Sequence, residues 1–149
     1  MSEQTWAPPS LLTEGPLAGW MSWSRGSDPF ETMIGPFGFK DVDGKARCAF
    51  APSNDHLNGS RVAIHGGALM SFADFALFCI GSNAWRNPIR AVTLSFNSEF
   101  LSPGTTEGLL EAHGDLLRET KSLLFVRGVI TQSERPVLAF SGTLKKIKN

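Results

Sequence analysis

Cysteine is scarce in this chain of 149 residues, its charges cancel, and it has no long apolar run; each shortage narrows what it can be. Two cysteines, Cys48 and Cys79, are too few for a disulfide framework. Both lie in apolar surroundings, which suits buried, reduced thiols in a cytoplasmic protein, with a single disulfide as the less favoured alternative. Fourteen basic residues balance fourteen acidic ones, so no strong field draws the chain to nucleic acid or to an anionic membrane. The basic tail Lys145-Lys146-Ile147-Lys148 is short and reads as a solvated terminus. No apolar stretch approaches the roughly 18 residues of a membrane span. The opening residues Met1 to Trp6 carry neither a basic nor an apolar signal-peptide region. His56, His65 and His113 are too scattered for a metal-ligand pattern, and neither a Cys-x-x-Cys pair, a P-loop nor a Gly-x-Gly-x-x-Gly occurs. Ser102 and Ser141 lack nucleophile-elbow surroundings. No metal and no cofactor is expected.

What is present is enough apolar sequence, 42%, for one core. Residues 1–30 read as a partly helical extension and residues 31–149 as the main domain. Pro8-Pro9-Ser10 punctuates a frayed start. Ser10 is placed to cap a helix reaching about Ser24, burying Leu11, Leu12, Leu17, Trp20 and Met21, with Glu14 near its positive end. Gly15-Pro16 divides that stretch, so two shorter pieces are an alternative. Residues 30–51 read as two extended stretches around the turn Asp41-Val42-Asp43-Gly44, a hairpin. A turn-rich loop follows from Pro52 to Gly59.

The period then changes. Leu69, Phe72, Ala73, Ala76, Leu77 and Ile80 recur at steps of three and four, predicting a helix from about Gly66 to Ile80. Other apolar residues fill most of its remaining positions, so it is buried on most sides. Gly81 reads as its stop, with Pro88 beyond. From Val92 to Phe100 the period is two. Further strands are predicted over about 106–118, 121–132 and 136–147, joined by breaks short enough to make neighbours antiparallel. The expected class is α+β: an antiparallel sheet wrapped around one long helix. One sheet covers such a helix on one side only, which points to a homodimer or a dimer of dimers.

His65-Gly66-Gly67 opens that helix, and Asp74 follows nine residues after the histidine. A helix start offers unpaired N–H groups to an oxyanion, and two glycines let a ligand come close. Asp74 is a lone carboxylate in an apolar stretch. An oxyanion site and a carboxylate on one element are two parts of an acyl-transfer site. The bland readings are a buried carboxylate paired with Ser71 or a strand residue, a close-packed helix start, a structural histidine at His65, and plain strand propensity at Thr93.

The motif and the order of elements resemble the hotdog-fold acyl-CoA thioesterases of the phenylacetate-pathway (PaaI-like) branch, over about residues 30–147. The likeness is carried by the loop His56-Leu57-Asn58-Gly59, by His65-Gly66-Gly67-Ala68 with Asp74, by the strand from Val92 to the Ser102-Pro103 turn, and by Val137 to Thr143. It implies hydrolysis of an acyl-CoA to the acid and CoA. Asp74 is then the base or nucleophile, and Gly66 donates its N–H to the thioester oxygen from the opposite subunit. His65 and Asn58 orient the thioester or water, and Thr93 positions the water. Asn58 lies one residue further from the histidine than the family pattern has it. A CoA substrate calls for basic residues at the rim: Arg61, Arg90, Arg118 and Lys121 are the candidates, beside Gly67. The eleven Phe and four Trp suit an aromatic or medium-chain acyl group, though most must build the core. The rival readings are a non-catalytic acyl-CoA or acyl-carrier binding protein on the same fold, a hydratase, and a purely structural oligomeric domain.

Overall fold

The computed structural model describes residues 8–23, 28–82 and 90–147. Its elements run β1 (Ser10–Leu11), β2 (Met21–Ser22), α1 (Pro29–Ile34), β3 (Phe37–Val42), β4 (Lys45–Phe50), a 3-10 turn (Asn54–His56), α2 (Gly66–Ser82), β5 (Ala91–Phe100), β6 (Leu110–Glu119), β7 (Leu123–Gln132) and β8 (Arg135–Lys146). All strands join one antiparallel sheet in the order β1-β2-β3-β4-β6-β7-β8-β5. The sheet wraps α2, whose residues meet β3 through β8.

Local chemistry explains the joints. The β3–β4 hairpin turns at Asp43 and Gly44, both at positive φ (54° and 81°), the primed geometry that matches strand twist. Asp41 Oδ1 accepts the Gly44 N–H at 2.7 Å. The core forms where α2 meets the sheet: Phe72, Ala73, Ala76, Leu77 and Cys79 are fully buried against Phe37, Phe39, Phe50, Leu124 and Leu144. Phe37 stacks edge-on to Phe50 at 5.0 Å and tilts over Phe72 at 5.4 Å. At Gly142 of β8 a Cβ would overlap the Leu77 side chain and reach 2.9 Å from the Ser95 carbonyl, so helix and sheet meet there only because the side chain is hydrogen. Gln132 is buried, and its amide fastens the loop before β6: Oε1 accepts the Thr105 N–H (2.9 Å), and Nε2 donates to the Thr105 and Gly108 carbonyls (2.9 and 3.2 Å). Cys48 and Cys79 are free, buried thiols that face each other across the helix–sheet contact.

Four expectations change. The helix from Ser10 is instead the β1–β2 hairpin. Gly15 and Gly19 take positive φ (76° and 89°), and Leu12 N–H bonds the Trp20 carbonyl at 2.8 Å, which no helix allows. Leu12, Leu17 and Trp20 are buried all the same, whereas Leu11 is exposed and Glu14 meets no helix terminus. The stretch opening at residue 30 holds α1 rather than a strand: Pro29 sits in the first turn, where its missing N–H costs nothing, and Asp28 Oδ1 caps the Glu31 N–H at 2.9 Å. Gly81 lies within α2, packed against Val126 and Leu144, not after its end. Lys145 and Lys146 belong to β8, where Lys146 pairs with Glu119, instead of forming a free tail. The third of those strands otherwise matches, but the first begins only at Leu110. Residues 1–7, Ser24, Pro88 and Lys148 lie outside the described residues.

Candidate active site

Two histidines assemble the start of α2. His65 is its cap: Nδ1 accepts the Gly67 N–H at 2.8 Å, and its carbonyl accepts the Ala68 N–H at 3.0 Å. An N–H can donate to Nδ1 only if that nitrogen carries no proton, so the neutral ring bears its proton on Nε2. His65 N–H in turn bonds the His56 carbonyl at 2.7 Å. His56 Nε2 reaches the Ile34 carbonyl at 2.6 Å, and its Nδ1 accepts the Ser53 N–H at 2.9 Å. Because the carbonyl can only accept, His56 donates from Nε2. His56 thereby ties the end of α1 to the start of α2. Nothing in the sequence around His56 marks this role, since its partner Ile34 lies 22 positions away.

Gly66 heads the helix. Gly67, Ala68 and Leu69 spend their N–H groups on His65, and the Gly66 N–H has no acceptor among the described residues. A Cβ on Gly66 would press the Phe100 ring at 3.1 Å, so the glycine lets β5 close over the helix start.

Asp74 lies two turns on and is half-buried. Thr93 Oγ1 donates to its Oδ1 at 2.7 Å. Ser71, the other partner considered for it, donates to the Gly67 carbonyl at 2.7 Å instead. Burial holds the Asp74 carboxyl above the ordinary aspartate range; the Thr93 hydrogen bond opposes this and the nearby Asp28 charge adds to it. A register shift between Thr93 and Ser95 turns both Thr93 and Phe96 toward the helix and leaves Val92 and Leu94 exposed.

Two cavities flank the first turns of α2. One, about 430 Å³, is walled by Asp28, Phe30, Glu31, Gly67, Met70, Ser71, Asp74 and Phe96. The other, about 520 Å³, is more apolar, with Phe30, Met33, Ile34, Leu57 and Ala68 among its lining beside His56, His65, Gly67 and Ser71. Phe30, Gly67 and Ser71 belong to both. Glu31 shares the first cavity with the carboxyls of Asp28 and Asp74 and is pushed up to about 8 by burial, then by the charges of Asp28 and Asp74. The sequence reading missed the whole contribution of α1; the sole clue was Asp28-Pro29, a cap followed by proline at a helix start.

The other expected site residues stand apart. Asn58 closes its own loop, its Oδ1 accepting from Ser60 at 2.8 Å and its carbonyl from the Arg61 N–H at 2.9 Å, with Arg61 at φ 60°. Neither cavity is lined by Asn58, Arg61, Arg90, Arg118 or Lys121. Arg90 lies at the start of β5, and Arg118 and Lys121 where β6 turns into β7. Among the described residues no group of three or more His, Cys, Asp or Glu side chains stands close enough to hold a metal ion, and no helix is long and apolar enough to cross a membrane.

A wrapped helix opening on a histidine cap and two glycines, with a half-buried aspartate held by a strand threonine, is the arrangement of a hotdog thioesterase. The chain belongs to the thioesterase superfamily, whose family model matches residues 63–139, just over half of it. Within that superfamily the likeness runs to the PaaI-like branch. A mutant of the phenylacetic acid degradation protein PaaI from Thermus thermophilus is 26% identical, matches 80% of this chain and 100% of its own, and superposes with a TM-score of 0.66. The E. coli PaaI protein, from the phenylacetic acid degradation operon, is 24% identical over 82% of this chain and 86% of its own, TM-score 0.66. A Bacillus halodurans protein solved with CoA shares the fold at 18% identity, over 84% and 82%, with a TM-score of 0.71. No curated protein matches the chain by sequence.

Proposed function

We propose that this protein hydrolyses acyl-CoA thioesters to the free acid and CoA, working as a homodimer or a dimer of dimers. The observation that carries the reading is Asp74, raised above its ordinary proton affinity and held by Thr93, in a cavity whose wall includes the first turn of α2. Burial makes such an aspartate a better base than one in water. Asp74 takes a proton from water as that water attacks the thioester carbon, or attacks the carbon itself; Thr93 fixes the carboxylate's orientation. The carbonyl oxygen gains negative charge and needs an N–H already in place.

Gly66 supplies that N–H, but not to the Asp74 of its own chain. Eight residues of helix separate the two by about 12 Å of rise, too far for both to act on one carbonyl group. A second copy resolves this. β5 pairs only with β8 and leaves its other edge, ten residues long, open among the described residues. Two such edges pairing antiparallel run their α2 helices in opposite directions, so that Gly66 of each approaches Asp74 of the other. His65 presents Nε2–H beside the oxyanion site, and Gly67 lets the substrate lie close. Asn58 acts from the rim of the helix start, and Arg61, Arg90, Arg118 and Lys121 serve the CoA phosphates at the dimer surface. CoA as the thiol carrier is supported by the family and by a neighbour of the same fold solved with CoA.

The test is thiol release from a panel of aryl- and alkanoyl-CoAs, with wild type beside Asp74→Ala and with the oligomer checked by sedimentation. Hydrolysis that drops at least about a hundredfold in the variant, with assembly intact, supports the reading. Saturable binding of CoA esters without any hydrolysis moves the protein to a binding role on the same fold.

A further inference from the structure

α1 is six residues long, yet it is fastened at both ends. Asp28 caps its start, the Gly35 N–H closes its end on the Glu31 carbonyl at 2.7 Å, and His56 grips the Ile34 carbonyl. No residue of α1 is fully buried and only Ile34 packs against the core, so the anchorage has a consequence beyond the core. Its effect is to hold the Glu31 side chain in the wall of the cavity that contains Asp74 and Gly67.

We propose that Glu31 is a second catalytic carboxyl of this site, the acid that delivers a proton to the departing thiolate while Asp74 acts as the base. The inference rests on the thioesterase reading and extends it. The two carboxyls share one cavity, and their environments separate their tasks. Glu31 is met by the charges of Asp28 at the head of α1 and Asp74 on α2, with Cys79 of α2 within electrostatic reach on the core side; no cation pairs with it among the described residues. Its proton is therefore held to about pH 8. That is close to the value of about 8.5 for an ordinary alkyl thiol, and an acid matched in this way transfers its proton efficiently near neutral pH. Two titratable groups pushed apart by their surroundings are how one site runs acid and base chemistry together.

The step balances. Asp74 carboxylate takes one proton from the attacking water, and the new C–O bond forms. The tetrahedral intermediate collapses, the C–S bond breaks with its electron pair going to sulfur, and Glu31 gives that sulfur its proton. Asp74 then holds a proton and Glu31 a charge. One proton passing from Asp74 to Glu31 restores the starting state.

The experiment compares two substrates with one acyl group: its CoA ester and its thiophenyl ester, whose aromatic thiolate needs no proton to leave. In Glu31→Gln, kcat/KM for the CoA ester is expected to fall about tenfold to a hundredfold while the thiophenyl ester loses less than about threefold. The alkaline limb of the wild-type profile near pH 8 should vanish with the glutamate. In parallel, infrared difference spectra of wild type minus Glu31→Gln should show a protonated carboxyl band that is lost between about pH 7 and pH 9, a readout that needs no turnover. Equal losses on both esters, no loss on either, or a Glu31 already ionised at pH 6 would overturn the assignment. Absence of hydrolysis by wild type on every thioester would instead overturn the underlying activity.

Discussion

α2 has two sides that obey different rules. The side toward the sheet is dry: Phe72, Ala73, Ala76 and Leu77 are completely buried, and the Cys48 and Cys79 thiols meet among them. The side toward α1 and the β5 edge carries Ser71, Asp74 and a Met70 that is 39% exposed, and it faces Asp28 and Glu31 across a cavity. The two sides lie on one helix of 17 residues, separated only by the 100° step from residue to residue. The first side holds the fold together. The second tolerates buried charge because the first has secured it. Acidic groups that would be expensive in the core sit instead along the wall of an open cavity.

That contrast sets the order in which the molecule should break. Phe72→Ala, on the dry side, should cost the most, about 3–5 kcal/mol, read as a fall in the denaturant midpoint with an unchanged slope. Asp74→Ala, two residues further along on the open side, should do the opposite: activity lost by about a hundredfold or more, equivalent to about 2.7 kcal/mol of barrier, with the thermal midpoint at neutral pH held or slightly raised. A thermal collapse of Asp74→Ala would erase the distinction between the two sides. Gln132→Ala removes five hydrogen bonds to the Thr105–Gly108 loop and should cost about 1–3 kcal/mol without changing the pH profile of activity.

Glu31 sharpens the comparison through pH. Its folded-state proton affinity is raised, so the unfolded chain gives up the proton first, and stability falls as pH climbs from about 4.5 to about 8. Glu31→Gln should flatten that slope and leave the variant more stable than wild type above pH 8, measured as the thermal midpoint against pH. Ser71→Ala should be the mildest change. It removes only a bond to the Gly67 carbonyl one turn back on the helix, and an unfolding shift of about half a kcal/mol or less is expected.

Legibility followed the range of the interactions. The helix from Gly66 repeats its period over about four turns, and the strands after it are marked by one alternating stretch and by short turn-rich breaks, so both were readable. The turn at Asp43-Gly44 was readable because it needs positive φ at two successive positions. The segment before residue 35 was misread because its apolar residues, Leu12, Leu17 and Trp20, have a helical spacing but are buried by a hairpin that two positive-φ glycines impose. The outward turn of Val92 and Leu94 was hidden too, since one irregular residue in β5 reverses which face the alternation presents.

The sequence by itself determined the class of the protein and the candidate for its base: His65-Gly66-Gly67 and Asp74 are fixed by local spacing along one helix, and a helix start needs nothing distant to expose its N–H groups. Tertiary structure alone decided what surrounds that base. Thr93 reaches Asp74 across 19 positions of sequence, and Glu31 enters the same cavity from 43 positions away, through a chain of bonds from His65 to His56 to Ile34. Proton affinity depends on burial and on the charges gathered around a group. Neither exists until the sheet has wrapped the helix and α1 has been drawn over its first turn.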